Sequence, residues 1–327
     1  MSKDKLKIAF YWAASCGGCE IAVLDINEKI LDVIQVADIV FWPVAMDIKY
    51  KDVENMPDKY VDVCFFNGGI RNSEQEHMAK LLRQKSKTLI AYGACAQLGG
   101  VPGLANIADR KEIFEKVYVT TFSTANPDKT EPKTEVRVKE GEVDIPKFYD
   151  TVRTLDQVVD VDYYVPGCPP AVERTLFAVD AIVKGELPPK GSVLAPLKSV
   201  CDECPRKKEN KKITKIYRTY EKAPEPERCL LEQGIICMGP ATRGGCSARC
   251  LNADMPCTGC GGPCPNSPEQ GAAMISALAS ILGLEEEKEK YSEEDVEKLM
   301  SQVKDPIGTF YMYALAASIL KRKVMKE

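Results

Sequence analysis

The stretch Leu6-Lys-Ile-Ala-Phe-Tyr-Trp-Ala-Ala-Ser-Cys-Gly-Gly-Cys19 decides how the first half of the chain folds. Residues 6–12 form a short apolar run, the pattern of a buried strand, and the Gly pair marks the turn after it. An amphipathic helix of about a dozen residues is expected to begin near Cys19. Working outward, Val40-Phe-Trp, Val61-Asp-Val-Cys-Phe-Phe, Thr88-Leu-Ile-Ala-Tyr and Tyr163-Tyr-Val read as further strands. Asn67-Gly68-Gly69 ends one of them and Gly93 breaks another. Ser73 with Glu76 reads as a capping box opening a helix to about Gln84, and a helix is expected after Pro170 to about Lys184. Strands alternating with helices imply an open, mostly parallel α/β sheet, whose ligands gather beyond the carboxyl ends of the strands.

Cysteine is the second organising feature. Nine of the 14 cysteines lie between Cys201 and Cys264. Gly, Pro and short polar runs separate them, with almost no periodic apolar pattern, so a hydrophobic core is not expected to hold this segment. The thiols must then do so. The chain starts without an apolar signal core or a twin-arginine signal and has no run of eighteen apolar residues, which predicts a cytoplasmic protein with no transmembrane segment. In a reducing compartment dense cysteine points to metal or redox chemistry rather than disulfides. With a single histidine, His77, any site must be all-thiolate, which suits zinc or iron–sulfur clusters.

Four thiols follow strand ends: Cys16 and Cys19 after the first, Cys95 within Gly93-Ala-Cys-Ala-Gln-Leu-Gly-Gly, and Cys168 within Pro166-Gly-Cys-Pro-Pro. Cys16-Gly-Gly-Cys19 alone would also fit a thioredoxin-like pair, but that leaves the other thiols unexplained. The Gly-rich stretch at Cys95 lacks the Lys-Ser/Thr of a phosphate loop. Further on, Cys201, Cys204, Cys229 and Cys237 form one set, and Cys246, Cys250, Cys257 and Cys260 another. Cys264, before Pro265, is supernumerary, and Cys257-x2-Cys260-x3-Cys264-Pro imitates part of a ferredoxin run, so Cys264 competes with Cys250 as a ligand. Cys64, inside a strand, reads as a small core residue. A formal charge of −4 argues against a nucleic-acid partner. Residues 124–148 read as a polar surface excursion, Arg206-Lys-Lys-Glu-Asn-Lys-Lys as a solvated loop, and His77 as exposed. After a small-residue helix from Gly271 to Leu282 come an acidic run, Glu285 to Glu289, a helix start at Ser292, and a final helix over about 309–324.

Taken in order, Cys16-Gly-Gly-Cys19-Glu20, Gly93-Ala-Cys95-Ala-Gln-Leu-Gly-Gly100, Pro166-Gly-Cys168-Pro-Pro and the later cysteine sets resemble the small subunit of NiFe hydrogenases over nearly the whole chain. The chain looks most like the cytoplasmic methanogen type that does not reduce the deazaflavin coenzyme and works with heterodisulfide reductase. The resemblance implies a flavodoxin-like domain over residues 1–190, a two-cluster iron–sulfur domain over 191–268 and C-terminal helices over 269–327. It also implies three 4Fe-4S clusters. Cys16, Cys19, Cys95 and Cys168 would hold the proximal one. Cys246, Cys250, Cys257 and Cys260 would hold the medial one, and Cys201, Cys204, Cys229 and Cys237 the distal one. Many relatives carry His where Cys201 stands, and many carry Pro where Cys250 stands, with a three-iron medial cluster. The Ni–Fe centre would sit on a large-subunit partner. Electrons would leave to an iron–sulfur subunit linking to heterodisulfide reductase. The competing readings are the small subunit of another cytoplasmic NiFe hydrogenase, a one-cluster quinone-oxidoreductase subunit, which lacks a counterpart to residues 198–268, and a zinc-stapled scaffold.

Overall fold

The computed structural model describes residues 5–282, 294, 297–298 and 301–323. Five parallel strands form the main sheet, in the spatial order Ala37–Phe41, Leu6–Trp12, Val61–Asn67, Ser86–Tyr92, Tyr163–Val165. This is the flavodoxin-like order, whose switch point lies between the first strand and Val61–Asn67. Alternation along the strands sends Ala9, Tyr11, Cys64, Phe66, Leu89 and Ala91 to one face, under Met78 and Leu82 of the helix Ser73–Lys85. Ile8, Phe10, Val63, Phe65, Ile90 and Tyr92 point to the other, under Ala178 and Ile182 of the helix Val172–Lys184. Both faces are covered, which is why the strands read as apolar runs. Cys64 is fully enclosed, as expected of a core residue.

Several local expectations change. The helix after the first strand is Gly18–Leu24; Asn27 turns left-handed (φ 55°) and a second helix, Ile30–Val36, follows. Asn tolerates that conformation, so the break sits there. The cap of Ser73–Lys85 is Asn72, which accepts from Gln75 N (2.9 Å), with Gln75 reaching back to Asn72 N. The Ser73 hydroxyl accepts instead from Lys147 N (2.9 Å), and Glu76 pairs with Lys80 and Arg153. Within the exposed excursion, Glu135–Val138 and Gly141–Asp144 form a hairpin.

Residues 191–268 carry only short 3-10 turns and the four-residue helix Arg249–Asn252. Contrary to expectation, this segment has an apolar core. Val200, Leu230, Leu231, Ile235 and Met238 pack with Met274 and Leu278 of the helix Gln270–Ile281 and with Phe310 and Leu315. Their spacing is irregular because loops, not helices or strands, deliver them. Arg206, expected in a solvated loop, is buried; its Nη1 donates to the carbonyls of Glu225 (2.6 Å) and Arg228 (3.1 Å), and its Nη2 pairs with Asp254.

The acidic run from Glu285 and the helix start at Ser292 lie outside the described residues. The expected helix over 309–324 does not form. Pro306–Phe310 makes one short helix, Leu315–Ala317 a 3-10 turn, and the chain then runs along the sheet domain. Its carbonyls are taken by that domain rather than by a helix: Gly100 N donates to Tyr313 O (3.0 Å) and Gln157 Nε2 to Ala316 O (2.9 Å). Among the described residues, no helix is long and apolar enough to cross a membrane.

Candidate metal centres

Three parallel strands deliver the first thiols to one rim. Cys16 and Cys19 follow Leu6–Trp12, Cys95 follows Ser86–Tyr92, and Cys168 follows Tyr163–Val165. The loops touch: a Cβ on Gly93, where φ is 89° and ψ 163°, would lie 2.4 Å from Cys19 Sγ. Only Gly adopts that backbone readily, and only Gly leaves the sulfur its room. Gly18 N donates to Cys16 Sγ (3.4 Å). Burial pushes the Cys19 thiol well up, reinforced by the charges of Cys95, Cys168 and Cys16. Burial likewise raises Cys95 to about 12 and Cys168 to about 11, with neighbouring thiolates adding to both. Cys19, Cys95 and Cys168, drawn from water beside the exposed Cys16, would repel one another as thiolates, so a bound cationic centre is what would let them ionise together.

Two other sets lie beyond. Burial raises Cys201 to about 12, followed by the charges of Cys237, Cys229 and Cys204. The Cys201 and Cys237 sulfurs flank Gly239, 3.2 and 3.6 Å from where its Cβ would be. Cys250 is raised by burial and then by Cys246; Cys260 is raised by burial and, more weakly, by Cys246 and Cys250. Cys264 stands apart, donating to Pro240 O (3.4 Å), with Arg243 and Asp202 as its charged neighbours. Cys201 thus neighbours Cys204, Cys229 and Cys237, and Cys260 neighbours Cys246, Cys250 and Cys257, while among the described residues no cysteine is a charged neighbour of Cys264. Among the described residues, no three Cys, His, Asp or Glu side chains close on a point fit for one metal ion.

Cys168 and Cys260 are electrostatic neighbours. At the far side Cys257 N donates to Cys237 Sγ (3.3 Å). Cys260 thus faces Cys168 on one side, and Cys257 faces Cys237 on the other. All-thiolate donors, buried sulfurs and backbone N–H groups aimed at them suit iron–sulfur clusters.

Supporting residues escaped the sequence. Glu20 is 4% exposed, and its carboxylate accepts from the Trp42 indole and the Asn67 amide. Asn67 Oδ1 in turn accepts from the Ser15 hydroxyl (3.0 Å), which ties the Cys16 loop to the sheet. Glu20 directly follows a cysteine in the motif, which was the available signal. Tyr313 Oη lies 3.2 Å from Thr258 Oγ1, and after burial the charges of Cys260, Cys168 and Cys250 act on it. No local pattern marks Tyr313, because the strap carrying it arrives from the far end of the chain.

Comparison with known proteins agrees. The profile of the family described as NADH ubiquinone oxidoreductase, 20 Kd subunit, matches residues 16–182. The iron-sulfur subunit of the F420-non-reducing hydrogenase of Archaeoglobus profundus is 40% identical over 327 residues, covering 98% of this chain and 99% of the relative. A subunit of the F420-non-reducing hydrogenase of Methanothermobacter marburgensis is 39% identical over 327 residues, covering 99% of each. A chain of the Dm. baculatum NiFeSe-hydrogenase superposes with a TM-score of 0.50 over 81% of this chain and 97% of that one, at 16% identity, a likeness of fold. With a family profile over its first half and relatives matched over its whole length, the chain belongs to the hydrogenase small-subunit family that includes these two F420-non-reducing hydrogenase subunits.

Proposed function

We propose that this hydrogenase subunit relays electrons through three 4Fe-4S clusters, held in series by the three thiol sets. The observations that carry the reading are the contacts between successive sets: Cys168 is the neighbour of Cys260, and Cys257 N donates to Cys237 Sγ. Each cluster supplies a one-electron carrier. The chain's own residues exclude water from the sulfurs, donate N–H groups to them and hold the loops still, so that little rearrangement accompanies each transfer. Cys16, Cys19, Cys95 and Cys168 are the proximal ligands. Cys246, Cys250, Cys257 and Cys260 are the medial ligands, and Cys201, Cys204, Cys229 and Cys237 the distal ones. Cys250 rather than Cys264 is medial because its charged neighbour is Cys246, whereas those of Cys264 are Arg243 and Asp202.

The proximal set would receive electrons from a large subunit carrying the Ni–Fe centre. Exposed Trp12, Ile21 and Leu24 beside the Cys16 loop offer an apolar docking face for it. The distal set would pass electrons to an iron–sulfur subunit linking to heterodisulfide reductase, in the cytoplasm, as in the enzymes the sequence resembles. Residues 1–190, 191–268 and 269–327 would be the sheet domain, the two-cluster segment and the C-terminal segment.

Anaerobic purification of the native complex tests this. A nickel-bearing large subunit should accompany the chain, with roughly twelve irons and twelve sulfides per chain from three four-iron clusters. Zinc in their place would end the proposal. Cys250→Pro should yield a three-iron EPR signal after oxidation, with about one iron lost. An unchanged spectrum would move the ligand role to Cys264.

A further inference from the structure

Arg174, in the first turn of the helix Val172–Lys184, is 2% exposed and reaches out of the sheet domain. Its Nη1 donates to Pro166 O (3.0 Å), two residues before Cys168. Its Nη2 donates to Arg243 O (2.9 Å) and Gly244 O (2.7 Å), just before Cys246. Two further backbone segments press on it. A Cβ on Gly261, next to Cys260, would lie 2.9 Å from Nη2, and one on Gly245, next to Cys246, would lie 3.2 Å from Nε. One cation is therefore enclosed by the loops carrying Cys168, Cys246 and Cys260.

Among the described residues its acceptors are all carbonyls, and no carboxylate pairs with it. The adjacent Glu173 pairs with Arg249 (2.8 Å). Glu203, which accepts from Gly245 N and Cys246 N, is matched by Lys198 at 3.2 Å. Arg174 Nε is buried with no acceptor among the described residues. A buried guanidinium without a counter-ion, and with one donor unused, is costly unless a negative group completes its surroundings. The thiolate-ligated group of the middle set is the negative group at hand.

We infer that Arg174 is a positioning and potential-setting residue, whose enclosed charge raises the reduction potential of the cluster held by Cys246, Cys250, Cys257 and Cys260. The inference rests on the relay reading above. Added negative charge on reduction is stabilised by a nearby buried cation, which surface charges cannot replace because water screens them. The middle of the relay is thereby kept reducible from the proximal side.

The test is an EPR-monitored redox titration of the whole complex carrying Arg174→Gln or Arg174→Lys. Gln keeps donors without the charge and should lower the medial midpoint. The reduced-to-oxidised ratio at fixed potential should fall at least tenfold, 59 mV for one electron, while the distal cluster stays within twofold. Lys should restore most of the shift. A medial potential unmoved by Gln, equal shifts in all clusters, or a Lys variant as displaced as Gln would overturn the inference. A wild-type complex without a third cluster signal would instead overturn the relay reading. If Gln does not assemble, the Lys variant decides: a retained potential supports the role of charge, and a tenfold fall refutes it.

Discussion

Cys260→Ser is expected to leave hydrogen activation working while ending its delivery to an external acceptor. In the proposed relay Cys260 is where the proximal and medial sets meet, as the neighbour of Cys168. Removing its thiolate takes a ligand from the medial cluster and breaks the series between its ends. Reduction of a low-potential dye with hydrogen should fall more than ~100-fold, beyond the 10–100-fold that even outer-shell changes cost at metal sites. Hydrogen–deuterium exchange, which needs only the large subunit's centre, should persist. Iron should fall from roughly twelve to roughly eight per chain, or to about eleven if a three-iron remnant survives. Dye reduction at the wild-type rate would show that electrons bypass this set, and the relay order would be wrong.

Gly93→Val should remove the proximal cluster specifically. The backbone at Gly93, φ 89° and ψ 163°, is one that residues with a Cβ avoid, at about 1–3 kcal/mol. The new side chain also meets Cys19 Sγ, 2.4 Å from the ideal Cβ, which adds about 1–3 kcal/mol of overpacking. The sum, about 2–6 kcal/mol, is smaller than the stability of a typical large domain but falls wholly on the loops that carry Cys19, Cys95 and Cys168. Those loops should open and about four irons should be lost, with the medial and distal EPR signals retained. Gly185→Ala is the control. Gly185 also has positive φ (71°), but nothing lies within 4 Å of its Cβ position, so only about 1–2 kcal/mol and no iron should be lost. A Gly93→Val complex with full iron would place the proximal ligands elsewhere.

The strands of the parallel sheet and the loops carrying the first thiols were legible because each depends on contiguous residues. An apolar run such as Leu6–Trp12 must be buried, a Gly-rich turn must follow it, and the parallel topology then carries Cys16, Cys19, Cys95 and Cys168 to one rim. The core of residues 191–268 was not legible. Leu230, Leu231 and Met238 are delivered by turns, so their spacing follows no helical or strand period, and their partners, Met274 and Phe310, arrive from later in the chain. The end of the chain misled for a related reason. Residues 311–323 have a helix-like apolar content, yet their carbonyls satisfy Gly100 and Gln157 across the molecule.

What the sequence determined by itself was the donor chemistry: one histidine, fourteen cysteines and strand-end loops leave thiolates as the available ligands. Tertiary structure alone decided which thiols neighbour one another, Cys168 with Cys260 and Cys257 with Cys237, and placed the enclosed Arg174 cation beside the first pair. Ligand type is a property of single residues. Adjacency between loops some seventy positions apart, such as Arg174 and Gly244, is set by packing and by where buried hydrogen bonds can be satisfied, and no local pattern records it.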